Sequence, residues 1–197
     1  MAVLALVVIA APAHAACGGV KAVASERNLV KGPEPLAIGD SVMLLAVNRL
    51  ARAGFSVNAQ GCRQWRQGHA MLRQRRRAGR LPRLVVMALG TNWYITRDEI
   101  GRTRRLLGRN RVLAIVTPRE PGGYAGDAKR IRAAARAHPR NIKLIDWVRF
   151  SRGHGSWFGG DGIHLTWTGV TNYVRCIRRA LRFAAGPRAA AGRHPCA

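Results

Sequence analysis

Apolar runs alternate with helix-patterned segments along most of this chain, and that alternation constrains its fold more than any other feature. The clearest run covers residues 84–89 and is continuously apolar, as expected of a strand that is covered on both faces. Four similar runs begin near residues 36, 55, 112 and 142. The pattern predicts an α/β fold, in which one five-stranded parallel sheet lies between two helical layers.

The segments between the runs have helical spacing of their apolar residues. Thr96, with Glu99 three positions later, forms a capping box and predicts a helix over residues 97–107. Further helices are predicted over residues 42–53, 64–78, 125–137 and 168–183.

Three short polar motifs follow strands of this predicted sheet. Gly39-Asp40-Ser41 closes the first strand, Gly90-Thr91-Asn92 closes the third, and Asp161-Gly162-Ile163-His164 lies in the loop after the fifth. Because the carboxyl ends of parallel strands meet at one edge, we expect these motifs to lie close together.

The residue types in the three motifs suit acyl transfer through a serine ester. Ser41 is the predicted nucleophile and His164 its base, while Asp161 would orient the imidazole and Asn92 would help to stabilise the oxyanion. The alternative is a purely structural role for each, with Ser41 capping a helix, Asn92 in a turn and His164 in a loop.

With these motifs the chain resembles the SGNH (GDSL-type) hydrolase family over about residues 36–184. It is most similar to the SGNH domains of peptidoglycan and polysaccharide O-acetyltransferases, in the segments around Ser41, Asn92 and His164 and also in Pro118-Arg119 and Asp146-Trp147. The resemblance implies a three-layer, flavodoxin-like fold, a Ser41-His164-Asp161 triad and an oxyanion hole that includes the Ser41 N–H and the Asn92 side chain.

The chain departs from the family pattern at the second motif, where the family has a glycine before Arg-Gln. Here Cys62 occupies that position and Gly61 precedes it, so either residue's N–H could complete the oxyanion hole. Arg63 next to them is a candidate substrate-binding residue, with an ion pair to a nearby acid as the alternative. Trp93 and Trp157 are candidates for stacking on a sugar ring, with ordinary packing as the alternative.

The N-terminus predicts export. Residues 1–15 are apolar and end in Ala13-His14-Ala15, an A-x-A cleavage pattern, although the usual basic n-region is missing. A buried strand or an uncleaved anchor is the alternative. We expect a signal peptide over 1–15, an extension over 16–35, the hydrolase domain over 36–185 and a flexible tail over 186–197. Four cysteines in an exported chain favour two disulfides with three possible pairings, namely among Cys17, Cys62, Cys176 and Cys196.

The charge is extreme, with 34 Lys and Arg against 9 Asp and Glu. Such a field would attract nucleic acid, anionic lipid or an anionic cell-wall polymer, but arginine-rich composition alone also explains it. Residues 73–77 form the one cluster, which a solvated helix face accounts for. Without a nucleic-acid-binding motif, nucleic acid is not the expected partner. No metal or cofactor is expected.

These observations predict an exported serine esterase or acylhydrolase that removes small acyl groups, such as acetyl, from a cell-envelope carbohydrate. The first alternative is an O-acyltransferase that uses the same site and works with a separate membrane protein as acyl donor. The second is a non-catalytic envelope-binding protein that uses its cationic surface, against which the complete set of motif residues argues.

Overall fold

A six-stranded sheet forms the centre of the molecule in the computed structural model, which describes Cys17 and residues 19–120 and 126–187. In spatial order the strands are β1, β3, β2, β4, β5 and β6, and β2 to β6 are parallel. They span Val20–Val23 (β1), Leu36–Gly39 (β2), Ser56–Gln60 (β3), Leu84–Ala88 (β4), Val112–Val116 (β5) and Ile142–Ile145 (β6). The α/β class and the five predicted parallel strands are confirmed.

The edge strand β1 corrects the predicted count of five strands. It pairs antiparallel with β3, with Val20 opposite Gln60, and it lies within the predicted N-terminal extension. The sequence did not reveal it because β1 is only four residues long and mostly exposed, so it has no apolar run.

The five predicted helices begin and end close to their predicted positions, and a further short helix, Trp147–Phe150, was not predicted. They span Val47–Ala53 (α1), Trp65–Arg77 (α2), Arg97–Leu107 (α3), Asp127–Ala137 (α4), Trp147–Phe150 (α5) and Trp167–Arg178 (α6). The capping box of Thr96 and Glu99 is present at the start of α3. Two predicted helices are partly 3₁₀, because Ser41–Ala46 precedes α1 and Arg179–Phe183 follows α6 in that conformation.

Each face of the sheet is covered by an apolar layer. On one face, side chains such as Ala37 and Val86 pack with α1 and α6, and the contacts include Leu50 and Tyr173. On the other face, strand residues pack against α2, α3 and α4, for example Ile38, Met87, Leu72, Ile100 and Ile131. This double coverage explains why β4 and β5 are apolar at every position.

Two of the predicted segments lie outside the described residues, namely the signal peptide over 1–15 and most of the tail over 186–197. A disulfide joins Cys17 to Cys62, and Cys176 is also disulfide-bonded, whereas Cys196 lies outside the described residues. Within Cys17 and the two described ranges, each helix is too short or too polar to cross a bilayer.

Candidate active site

Ser41 lies at the carboxyl end of β2, on the first residue of the Ser41–Ala46 3₁₀ helix. Asp40, not Ser41, caps this helix, because its carboxylate accepts a hydrogen bond from the Val42 N–H at 3.1 Å. The capping alternative for Ser41 is therefore wrong, and its hydroxyl is directed toward His164 instead.

The loop before α6 brings His164 to this serine. The His164 Nε2 lies 2.9 Å from the Ser41 Oγ, and its Nδ1 lies 2.5 Å from a carboxylate oxygen of Asp161. The other Asp161 oxygen accepts hydrogen bonds from the Ile163 and His164 N–H groups, both at 2.9 Å. One turn of chain therefore orients both side chains, and the His164 side chain remains 51% exposed, so a substrate can reach it.

Electrostatics favour an ionised Asp161. Its hydrogen bond with His164, followed by those from the backbone, lowers the pKa of this carboxyl to about 2. A carboxylate that is ionised throughout the neutral range holds the Nδ1 proton and leaves Nε2 of a neutral imidazole as an acceptor. That tautomer is the one that can take a proton from Ser41.

Arg119 supports the Asp161–His164 turn from outside. Its Nε donates to the Gly162 carbonyl at 2.8 Å, and its guanidinium lies 4.0 Å from the centroid of the Phe158 ring. In the sequence, Arg119 is part of the Pro118-Arg119 segment that resembles the family, but no role for it can be predicted. A hydrogen bond across 43 residues leaves no local sequence pattern.

Asp40 connects the motif that contains Ser41 with the motif that contains Asn92. Its second carboxylate oxygen accepts a hydrogen bond from the Thr91 hydroxyl at 2.5 Å and a longer one from the Thr91 N–H at 3.4 Å. The carboxyl is 1% exposed, and burial raises its pKa to about 6, while the hydrogen bonds from Thr91 and Val42 oppose this shift.

The other candidate oxyanion donors follow β3 and β4, the two strands that flank β2. Gly61 and Cys62 form the turn after β3, and Cys62 has a φ of 56°, a left-handed conformation that a glycine would adopt without strain. The disulfide to Cys17 holds this turn from the N-terminal side. The Asn92 amide donates to the Arg63 carbonyl at 3.4 Å. Asn92 therefore lies close to the turn that contains Gly61 and Cys62.

Arg63 lies where it cannot act as the predicted substrate contact. Its side chain is buried, the residue being 3% exposed, and its guanidinium donates to the carbonyls of Gly39 and Asn58 at 3.1 and 2.7 Å. It also donates to the side-chain oxygens of Asn58 and Gln60. The predicted substrate-binding role is corrected, because these acceptors inside the protein occupy a cation that water and substrate do not reach.

The two predicted aromatic contacts differ. The Trp157 ring stacks on Trp147, with centroids 5.8 Å apart, and on His154, with centroids 4.0 Å apart, and the residue is 9% exposed. It therefore packs in the core, which corrects its predicted role in sugar binding. Trp93 is 48% exposed and contacts the Tyr94 ring beside Asn92.

A groove of about 430 Å³ runs next to these exposed rings. Its lining combines aromatic, amide and charged side chains, a mixture that suits a carbohydrate. The lining residues are Gln64, Trp65, Arg66, Trp93, Tyr94 and Glu99. Across the described part of the chain, no group of three or more His, Cys, Asp or Glu side chains is placed to hold a metal ion.

Comparison with known proteins agrees with this geometry. No protein-family model matches the chain. The O-acetyltransferase OatA of Staphylococcus aureus is 29% identical over 149 residues, which are 74% of this chain and 24% of that protein. The chain thus spans about a quarter of the length of the curated relatives that it matches at this identity.

Solved structures show the same fold. The C-terminal catalytic domain of Streptococcus pneumoniae peptidoglycan O-acetyltransferase A, solved with a methylsulfonyl adduct, superimposes with a TM-score of 0.67 and 24% identity. The match covers 78% of this chain and 94% of that one. An SGNH hydrolase from Slackia heliotrinireducens matches over 77% of this chain and all of its own, with a TM-score of 0.57 and 16% identity.

The chain shares the fold of these SGNH-type structures. In this fold Ser41 and Asn92 follow the neighbouring strands β2 and β4, and His164 reaches Ser41 from the loop before α6.

Proposed function

We propose that this SGNH domain transfers small acyl groups, acetyl in particular, at O-acyl esters of a cell-envelope carbohydrate, with Ser41 as the nucleophile. The observation that carries the proposal is the hydrogen-bonded series of Ser41, His164 and Asp161, at 2.9 and 2.5 Å. A serine hydroxyl needs such a base to attack an ester at neutral pH.

In the first half-reaction the Ser41 Oγ attacks the acyl carbonyl while His164 Nε2 takes its proton. Asp161 stabilises the resulting imidazolium, and the negative oxygen of the tetrahedral intermediate accepts hydrogen bonds from the oxyanion donors. The intermediate collapses when the bond to the sugar oxygen breaks and His164 returns the proton to that oxygen. The products are a sugar hydroxyl and an acyl-Ser41 ester.

In the second half-reaction an incoming hydroxyl, activated by His164, attacks the acyl-Ser41 ester. Water as the acceptor gives a carboxylic acid, so the domain would be an esterase. A sugar hydroxyl as the acceptor gives a new ester, so the domain would be an O-acyltransferase.

We propose three oxyanion donors, namely the Ser41 N–H, the N–H of Gly61 or Cys62, and the Asn92 amide. Their shared position at the carboxyl ends of β2, β3 and β4 supports this assignment. The Asn92 amide makes only a long, 3.4 Å hydrogen bond to the Arg63 carbonyl, so a negative charge that develops on the acyl oxygen can compete for the amide N–H.

The transferase alternative has its own support. One similar structure is the catalytic domain of a peptidoglycan O-acetyltransferase. The exposed Trp93 ring and the groove beside it are suited to hold a sugar acceptor close to Asn92. In the transferase reaction a membrane protein would supply the acyl group. Export of the domain is supported by the Cys17–Cys62 disulfide, because disulfides are typical of oxidising compartments.

Turnover of p-nitrophenyl acetate by the wild-type domain and by Ser41→Ala, with and without a chitooligosaccharide acceptor, tests the proposal. We expect the substitution to reduce turnover by a factor on the order of 10⁴. Acetylated sugar among the products would assign the transferase reaction, and acetate alone would assign the esterase reaction. Equal rates for the two proteins would overturn the proposal.

A further inference from the structure

Acidic residues are confined to particular regions of this molecule. Seven of its nine acids lie at the carboxyl edge of the sheet, in loops after strands or in the first turns of helices. They are Asp40, Asp98, Glu99, Glu120, Asp127, Asp146 and Asp161. The other two, Glu26 and Glu34, precede β2.

The opposite edge, beneath β4, β5 and β6, is uniformly basic. It is formed by the segments that lead from α2 to β4, from α3 to β5 and from α4 to β6. The sequence of these segments contains no acid between residues 100 and 119 or between residues 64 and 97, and the next acid before β6 is Asp127 at the far end of α4. We call this surface the arginine face; its members are Arg76, Arg77, Arg80, Arg83, Arg109, Arg111, Arg136 and Arg140.

The arginine face is one continuous surface. The Asn141 side-chain amide donates to the Arg109 and Arg111 carbonyls, both at 2.9 Å, and so joins the loops before β5 and β6. The Val112 N–H donates to the Arg83 carbonyl at 2.8 Å and joins the loops before β4 and β5. The arginines that are scattered along the sequence therefore converge in space.

Several of these side chains are held in place by the backbone. Arg76 donates to the Leu106 carbonyl at 3.0 Å, Arg83 donates to the Ala185 carbonyl at 3.1 Å, and Arg111 donates to the Leu107 carbonyl at 3.2 Å. A guanidinium has five N–H donors, so one such bond fixes its position and leaves further donors for an anion.

Two clefts open on this surface, with volumes of about 190 and 240 Å³. The first is lined by Arg76, Arg105 and Arg111, and the second by Arg83, Asn110 and Arg140. Like charges also lie close together in the surrounding region. Burial is the larger cause of the lowered pKa of Arg75, and the positive charge of Arg80 lowers it further. The pKa of Lys143 is lowered in the same way by burial and then by the charge of Arg182. Bound negative charge would relieve this repulsion.

We propose that the arginine face binds a linear phosphate polymer, so that the domain is held on a phosphate-rich component of the envelope while the opposite edge carries the ester chemistry. Arginine matches phosphate through paired hydrogen bonds, and a row of fixed arginines matches a repeating anion better than it matches a single ion.

The surroundings of the face favour a phosphate polymer over a lipid surface or a nucleic acid. The large exposed apolar side chains of the described residues lie on other surfaces, namely those of Val20, Leu29, Leu45, Trp93, Tyr94 and Trp167. A membrane-binding face would place such side chains beside its cations, and a single-strand-binding face would place aromatic rings among them.

The test compares two triple variants that remove equal charge. Arg80→Gln/Arg109→Gln/Arg140→Gln changes three exposed members of the face, whereas Arg27→Gln/Arg97→Gln/Arg152→Gln changes three exposed arginines elsewhere. The probe is long-chain inorganic polyphosphate, and binding is measured by calorimetry over a range of salt concentrations. Single-stranded DNA with the same number of phosphates and anionic phosphatidylglycerol vesicles are the competing probes.

We expect the face variant to bind polyphosphate about tenfold more weakly than the wild type and with a shallower salt dependence, and the control variant to change by less than about threefold. Equal losses in both variants would overturn the proposal, because net charge alone would then explain binding. Tighter binding to DNA or to vesicles than to polyphosphate would overturn the assigned partner. Thermal melting and ester turnover of both variants check their folding.

This test is independent of the proposed ester chemistry. Ser41→Ala should bind polyphosphate like the wild type, so a failure of the acyl-transfer proposal and a failure of the arginine-face proposal can be told apart.

Discussion

The Arg63 guanidinium donates a hydrogen bond to the Gly39 carbonyl at 3.1 Å, across 24 residues of sequence. Gly39 ends β2 two residues before Ser41, while the Arg63 carbonyl accepts the Asn92 amide. One buried residue therefore contacts the backbone that leads to the candidate nucleophile and also a candidate oxyanion donor. Arg63 is a positioning residue in this arrangement, because its side chain is buried.

We predict that Arg63→Lys lowers kcat by about tenfold or more, since a lysine cannot satisfy four acceptors at once and small misplacements are costly. The loss should be the same for a neutral ester and for an anionic ester, with KM nearly unchanged. Steady-state kinetics with both substrates measure this. A rise in KM confined to the anionic ester would instead restore the substrate-binding role for Arg63.

Asn92→Ala should reduce kcat on the order of a hundredfold, because removing one oxyanion donor typically has that effect. KM should change little, since the hydrogen bond develops only as charge appears on the oxygen. Trp93→Ala is the matched comparison in the neighbouring position, and it should raise KM for a sugar ester while leaving p-nitrophenyl acetate turnover intact. A loss of turnover only in the Trp93 variant would contradict both roles.

The Cys17–Cys62 disulfide closes a loop with a sequence separation of 45, so chain entropy predicts a contribution of up to about 4 kcal/mol to the free energy of unfolding. We predict that Cys17→Ser/Cys62→Ser loses stability on this scale. Cys17→Ser/Cys62→Gly should be more stable than that variant by about 1 kcal/mol, because position 62 has a φ of 56°. Denaturant unfolding of the two variants checks the order, and a less stable glycine variant would contradict it.

Glu120 gives the fold a predicted dependence on pH. Burial, and then the charge of Asp127, raise the pKa of its carboxyl to about 7, against an opposing effect of Arg130. Because the folded state retains this proton above the ordinary pKa of 4.5, the free energy of unfolding should fall as pH rises from there to about 7 and then level off. Glu120→Gln should make this fall shallower in denaturant unfolding at several pH values. An unchanged slope would contradict the prediction.

The parts of the structure that local patterns encode could be predicted from the sequence. The apolar run of β4 and the capping box of α3 specify their own conformations, and the order of strands and helices places Ser41, Asn92 and His164 at one edge. The parallel topology alone predicts that the three motifs meet at one edge of the sheet, because each motif lies at the end of a strand or in the loop that follows one.

The parts that depend on distant contacts could not be predicted. The burial of Arg63 follows from acceptors on β2 and β3, and the burial of Trp157 follows from its stacking on Trp147. The short strand β1 depends on backbone pairing with β3 alone. The arginine face was also hidden, because its members come from three segments that only the sheet brings together.

Rapid quenching with p-nitrophenyl acetate, followed by peptide mass spectrometry, shows directly whether Ser41 forms an acyl-enzyme with the help of His164. We predict one acetyl group on the peptide that contains Ser41 in the wild type, and none in Ser41→Ala or within the same time in His164→Ala. Wild-type turnover without this adduct, at a rate that Ser41→Ala retains, would show that Ser41 is not the nucleophile.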